Sequence, residues 1–263
     1  MTITSAPLSY QQISGRKTII ANWKMHGNLA RNQHLVEKYL DGLQSLHANV
    51  VVCVPYPYLA QIQSFLQGTH LAWGAQNVAK FEEGAYTGEV SAEMLRDFGA
   101  QYVIIGHSER STAYCESDEN IAEKFMMAKR HGLTPVLCVG ETLLEREAGV
   151  MERVVGRQLE TIVRLFGGEA FADTIVSYEP IWAIGTGLAA TAEQAVAMHQ
   201  FIRDTIAGAS KSAAASLKIL YGGSVNPQNA IQLLHQKEID GALVGRCSLE
   251  AGQFIKICQS VPS

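Results

Sequence analysis

Short runs of apolar, β-branched residues alternate along this chain with longer stretches whose apolar positions recur every three or four residues. The short runs are Thr18–Trp23, Asn49–Val54, His70–Ala75, Tyr102–His107, Thr134–Val139, Thr174–Glu179, Leu217–Tyr221 and Ala242–Gly245. Their lengths and residue types are those of strands. Several are apolar at nearly every position, as in Val50-Val51-Val52-Cys53-Val54 and Val103-Ile104-Ile105. That is the pattern of a parallel strand buried on both faces. The longer stretches predict helices. Asn28–Leu46 carries Leu35, Tyr39, Leu43 and Leu46 at helical spacing, and Asn120–His131 carries Ile121, Phe125 and Ala128. Met151–Phe166 carries Val154, Val155, Leu159, Ile162 and Val163. Thr191–Ile206 opens on Thr191 with Gln194 three residues on, a pair whose side chains can each satisfy the other's free backbone N–H. Asn226–Gln236 puts Pro227 at a first helical position, where its missing N–H costs nothing.

Eight β/α alternations without a linker-like stretch predict a single domain with a parallel sheet. The count suits closure into a (β/α)8 barrel, and 263 residues is an ordinary length for one. An open doubly wound sheet would alternate in the same way, but the Gly-x-Gly-x-x-Gly fingerprint after its first strand is missing. Residues 1–15 are polar and lack the apolar centre of a signal peptide. They are expected to form a flexible N-terminal extension, with residues 16–263 as the catalytic barrel.

Composition narrows the function classes. A net charge of −4 and no basic cluster argue against a nucleic-acid partner or an anionic membrane surface. No apolar run approaches the roughly 20 residues of a membrane helix. The five cysteines are far apart and form no CxxC pair, which suits a reducing, cytoplasmic setting. The histidines have no metal-ligand spacing, so no metal site is expected.

In a barrel, chemistry gathers at the C-terminal ends of the strands. The sixth strand ends in Tyr178-Glu179-Pro180-Ile181-Trp182-Ala183-Ile184-Gly185-Thr186-Gly187. Proline stops the strand at once, and an apolar segment with two glycines follows, the composition of a mobile lid. Glu179 is then either a solvated strand end or a general base whose basicity rises when water leaves. The first strand ends in Asn22-Trp23-Lys24, where a lysine among apolar neighbours either meets an anion or snorkels to water. His107, in Gly106-His107-Ser108-Glu109-Arg110, precedes a helix start whose N–H groups disfavour the imidazolium. It is either a structural histidine or a neutral hydrogen-bond donor to a substrate oxygen. Glu109 and Arg110 could form an ion pair bracing the strand ends. Tyr221-Gly222-Gly223-Ser224-Val225 and Val244-Gly245-Arg246-Cys247-Ser248 are glycine turns that offer backbone N–H groups to a phosphate. A cation, a neutral donor, a carboxylate under a lid and an anion cradle complement one another as proton abstraction beside a carbonyl requires.

These segments together resemble triosephosphate isomerase, from about Arg16 to the C-terminal helix. The resemblance implies a (β/α)8 TIM barrel that interconverts dihydroxyacetone phosphate and D-glyceraldehyde 3-phosphate, in glycolysis and gluconeogenesis, without cofactor or metal. It implies Glu179 as base, His107 as the group polarising the carbonyl, Lys24 as the balancing charge and Asn22 as an orienting residue. Asn22, Trp23 and Lys24 would contact the substrate, and Gly185, Ser224, Gly245 and the N–H of Arg246 would hold its phosphate. The lid would be Pro180, Ile181, Trp182, Ala183, Ile184, Gly185, Thr186 and Gly187. A homodimer is implied, with Gln76, Tyr86 and Thr87 of the third βα-loop at the interface.

Several positions depart from the family pattern. Arg246 stands where a second glycine is common, and its N–H can still serve a phosphate if φ there need not be positive. Leu188 replaces a common lysine, Ala192 a common proline and Ser111 a common arginine. The alternative to an active isomerase is a catalytically impaired phosphate-binding barrel with a scaffolding role, and Arg246 is the one feature that favours it.

Overall fold

The computed structural model describes residues 15–44, 47–184 and 189–262. Its strands are β1 (Thr18–Asn22), β2 (Asn49–Val54), β3 (Ala72–Ala75), β4 (Tyr102–Ile105), β5 (Thr134–Val139), β6 (Ile175–Tyr178), β7 (Lys218–Tyr221) and β8 (Gly241–Val244). The helices in chain order are α1 (Leu29–Gly42), α2 (Leu59–Leu66), α3 (Ala92–Asp97), α4 (Ser108–Tyr114), α5 (Asp118–Arg130), α6 (Leu143–Glu147), α7 (Met151–Phe166), α8 (Ala192–Ala209), α9 (Lys211–Ser216), α10 (Ala230–Leu234) and α11 (Ala251–Gln259). Strands pair in parallel in sequence order, and β1 closes the barrel by pairing Thr18 with Asn49 of β2 and Gly241 of β8.

All eight strand expectations are met. The ladders stop short of the ends assigned to them, so Trp23, His107, Glu179 and Gly245 lie just beyond the strands. The predicted cap of α8 is present, with reciprocal bonds between Thr191 and Gln194. Helix α1 ends at Gly42, short of Leu46, which falls with Ser45 outside the described residues. The segment predicted from Asn226 forms its regular helix only at Ala230, after a turn over 227–229. Asn226 Oδ1 accepts the N–H groups of Gln228 and Asn229, so Pro227 does open that turn.

Alternation along the strands divides the core in two. One set fills the barrel, including Ile20, Val51, Ile104, Val136, Ile175 and Leu220. The other, including Ile19, Val50, Val103, Leu137, Val176 and Ile219, packs beneath the helices. This doubly buried arrangement is why the strands read as continuous apolar runs. It also aims the site: Asn22 continues the inward set of Ile20, and Ser177 and Glu179 continue that of Ile175.

Candidate active site

A cleft of about 650 Å³ opens at the C-terminal ends of the strands. Asn22, Lys24, His107, Glu109 and Glu179 line it together with Gly222, Gly223, Ser224, Gly245 and Arg246. The structure thus brings together, from five strand ends, nearly all the catalytic and substrate-contacting residues expected from sequence. Trp23 lines the cleft too, although its indole is buried in the layer beneath the helices.

Glu179 is 1% exposed. Its backbone N–H bonds Val139 O at 2.7 Å, and Oε2 accepts the N–H of Ser108 at 3.4 Å. The other oxygen, Oε1, is buried with no hydrogen-bond partner among the described residues. A buried carboxylate oxygen left unpaired is costly unless a ligand group meets it. Room for this side chain comes from Gly222, where a Cβ would lie 2.7 Å from Glu179 Cγ and 2.4 Å from Ser177 Oγ. Burial, together with the Glu179 carboxylate beside it, pushes the Cys138 thiol up, so it stays a neutral neighbour of the base.

His107 caps α4. Its Nδ1 accepts the backbone N–H of Glu109 at 3.2 Å, so that nitrogen carries a lone pair and the ring proton belongs on Nε2. Glu109 Oε2, at 3.6 Å from the same Nδ1, is too far to compete. Nε2 lies 3.5 Å from Glu179 Oε1. A donor and an acceptor therefore face the same part of the cleft, as the helix-start position of His107 suggested.

Lys24 neither snorkels nor waits alone. Its Nζ pairs with Glu109 Oε1 at 2.5 Å. Burial alone would raise the Glu109 carboxyl, but the hydrogen bond from Lys24 and nearby positive charge hold it below the usual range. The expected Glu109–Arg110 pair is not formed. Arg110 turns instead to Glu116, at 2.8 Å, because the more buried Glu116 also gathers Lys124. Lys24 has φ of 52°, in the left-handed region, with its N–H held by Asn22 Oδ1 at 3.0 Å. Such conformations cost roughly 1–3 kcal/mol and concentrate at functional sites.

After β7, Asn229 Nδ2 donates to Ser224 O at 2.9 Å and fixes the turn. Arg246 begins a short 3₁₀ segment, Arg246–Leu249, and is absent from the positive-φ positions of the described residues. A side chain there costs no backbone strain. It is exposed at the rim and makes no ion pair among the described residues.

The segment after the base is anchored at both ends. Ile181–Ala183 forms a 3₁₀ turn, and Trp182 Nε1 donates to Glu141 Oε1 at 2.8 Å. Glu141 is wholly buried, accepts the hydroxyl of Tyr178 at 3.0 Å and pairs with Arg146 at 3.1 Å. At the far end, Ala190 N–H donates to Tyr221 Oη at 3.2 Å. Ile184 lines the cleft. Gly185, Thr186, Gly187 and Leu188 lie outside the described residues. Sequence reasoning missed Glu141, although it follows β5 at the kind of strand end that flagged the other site residues. Among the described residues no group of three or more His, Cys, Asp or Glu side chains could hold a metal ion.

A buried carboxylate whose free oxygen faces an imidazole N–H is built to move a proton on a bound molecule, and at the strand ends of a closed barrel it places the chain among the (β/α)8-barrel enzymes. Comparison with known proteins narrows this class. The family model described as triosephosphate isomerase matches residues 17–261. The triosephosphate isomerase of Thiobacillus denitrificans is 54% identical over 245 residues, covering 93% of this chain and 98% of that protein. That of Nitrosomonas eutropha is 52% identical over 246 residues, with the same coverage of 93% and 98%. The chain belongs to the triosephosphate isomerase family.

Proposed function

We propose that the protein interconverts dihydroxyacetone phosphate and D-glyceraldehyde 3-phosphate, with Glu179 as the base. The observation that carries this reading is the unpartnered Glu179 Oε1, buried and 3.5 Å from His107 Nε2. Glu179 takes the proton from the carbon beside the carbonyl, and the Nε2–H of His107 donates to the carbonyl oxygen as charge grows there. The proton then returns to the neighbouring carbon while a second proton passes between the two oxygens. Substrate and product have the same composition, so the step needs no redox or group-carrying cofactor. Lys24 balances the anionic substrate and Asn22, turned to the Lys24 backbone, holds that loop in place. Gly185, Ser224, Gly245 and the N–H of Arg246 cradle the phosphate, and residues 180–187 close over it to exclude water from the enediolate.

The test is a coupled steady-state assay with glyceraldehyde 3-phosphate, beside Glu179→Gln as control. The expected result is fast turnover in the parent and a loss of at least about a thousandfold in the variant, which still folds. A folded, phosphate-binding parent without turnover would favour the scaffolding alternative.

A homodimer in the cytoplasm completes the proposal. Tyr86, 41% exposed, stacks face to face on Phe81 with centroids 3.8 Å apart, and Met25 is 93% exposed beside Lys24. Apolar surface of this kind, next to the exposed Thr87, suits a subunit contact. Gln76 is tied to its own chain through Cys53 O at 3.1 Å and steadies the start of the loop. Among the described residues no helix is long and apolar enough to cross a membrane.

A further inference from the structure

Gly140, the residue after β5, is the surface on which the base rests. A Cβ built on it would lie 1.8 Å from the carbonyl oxygen of Glu179, so the two backbones touch with no space for a side chain. On one side of this contact Glu179 N–H bonds Val139 O at 2.7 Å, and on the other Ile181 N–H bonds Glu141 O at 3.0 Å. Any shift of Gly140 is therefore passed to Glu179 and to the start of the lid.

The peptide groups of Gly140 are themselves held by one side chain. Gln158 Oε1 accepts the N–H of Gly140 at 3.0 Å, and Gln158 Nε2 donates to its carbonyl at 3.2 Å. The amide pairs with both groups of a single residue, as a neighbouring strand would, and it does so from helix α7. That helix is pinned beneath by Val154, Val155, Leu159 and Ile162, all buried. Beside the clamp lies a second cavity of about 240 Å³, lined by Gly140, Gln158, Ser111, Thr142, Arg157 and Glu179. Glu179 is the residue that this cavity shares with the substrate cleft. With open space on that side, close packing cannot substitute for the amide in holding Gly140.

We infer that Gln158 is a positioning residue for the base: its side-chain amide sets Gly140, and Gly140 sets the height and angle of the Glu179 carboxylate. The inference rests on Glu179 acting as the base. Misplacing a catalytic group by about an ångström costs on the order of a hundredfold in rate. Gln158→Met keeps length and volume and removes both bonds. It should lower kcat by about ten- to a hundredfold while KM stays within about twofold. Inhibition by inorganic phosphate should be unchanged, because the phosphate turns follow β7 and β8 and the amide of Gln158 bonds only Gly140 among the described residues. If Gln158→Met fails to fold, Gln158→Glu replaces it; it keeps the acceptor for Gly140 N–H, and its kcat should fall by a smaller factor, about three- to tenfold. A kcat within twofold of the parent overturns the inference. So does a parallel loss of turnover, phosphate inhibition and melting temperature, which is what a merely structural role produces. Glu179→Gln, assayed alongside, separates the two failures: activity surviving there removes the base, whereas activity lost there but kept in Gln158→Met removes only the clamp.

Discussion

The two ends of the barrel hold their lysines in opposite ways. At the floor, Lys17 Nζ donates to the carbonyls of Gln236 and Ile239, Lys218 to that of Arg16, and Lys129 to those of Ala170 and Ala172, at 2.5–2.9 Å. Burial pulls the pKa of all three down, against the pull of nearby carboxylates. Their acceptors are backbone groups that cannot move aside. At the mouth, Lys24 meets the half-exposed side chain of Glu109, an acceptor not fixed in the backbone. The floor lysines tie down backbone, whereas the mouth lysine is paired with a side chain and lines the cleft. The same residue type does both because the C-terminal strand ends face open loops while the floor must satisfy crowded carbonyls.

The sharpest way to break this comparison is to neutralise the mouth. Lys24→Met should lower turnover by about a thousandfold and change stability by no more than about 1 kcal/mol, since the pair it breaks is partly solvated. Steady-state kinetics and urea unfolding would check both halves. Next in size is a pH effect on the floor side. His199 bonds Glu238 O through Nδ1 at 3.1 Å, and its Nε2 is buried without a hydrogen-bond partner. Burial pulls its pKa from 6.5 down to about 4. Between these values the unfolded chain binds the proton and the folded chain does not. Stability from this group is therefore whole above about pH 6.5 and is lost as pH falls toward 4, by about 3 kcal/mol in total. Unfolding midpoints of the parent and of His199→Asn across that range should converge at the acid end.

Lys129→Met comes third, expected to cost about 2 kcal/mol because it leaves several carbonyls unmet, with kcat/KM within about twofold of the parent. A matching loss of activity would erase the distinction between floor and mouth. Smallest is the relief of strain away from the chemistry. Cys115 caps α4 with φ of 53°, a left-handed conformation like that of Lys24 but at an exposed position. Cys115→Gly should raise stability by about 1 kcal/mol, read from the melting temperature, and leave turnover alone.

The parts of the site legible in the sequence share a trait: they are announced by their own neighbours. Glu179 is marked by the proline and glycines after it, His107 by the apolar run before it and the helix behind it, and the phosphate turns by paired glycines. Glu141 escapes such a reading although Gly140-Glu141 follows β5 directly, because a glutamate just before a helix start reads as surface. Gln158 sits in the middle of an amphipathic helix, where one glutamine looks like any solvated position. Its partner is 18 residues away, and Trp182 lies 41 residues from Glu141. The Lys24–Glu109 pair spans 85 residues, whereas adjacency in sequence offers Glu109 its neighbour Arg110 as a possible partner.

Taken alone, the sequence determined the eight buried strands, their alternation with helices, the reading of the chain as a barrel and the candidate residues at its strand ends, because burial and chain reversal are written in local patterns of apolar, glycine and proline positions. Only the tertiary structure decided which polar groups meet: Lys24 with Glu109, Trp182 with Glu141, Gln158 with Gly140. Those meetings follow from closure of the barrel, which sets strand ends and helices side by side irrespective of their distance along the chain. A buried polar group then takes whichever partner closure leaves within hydrogen-bond reach.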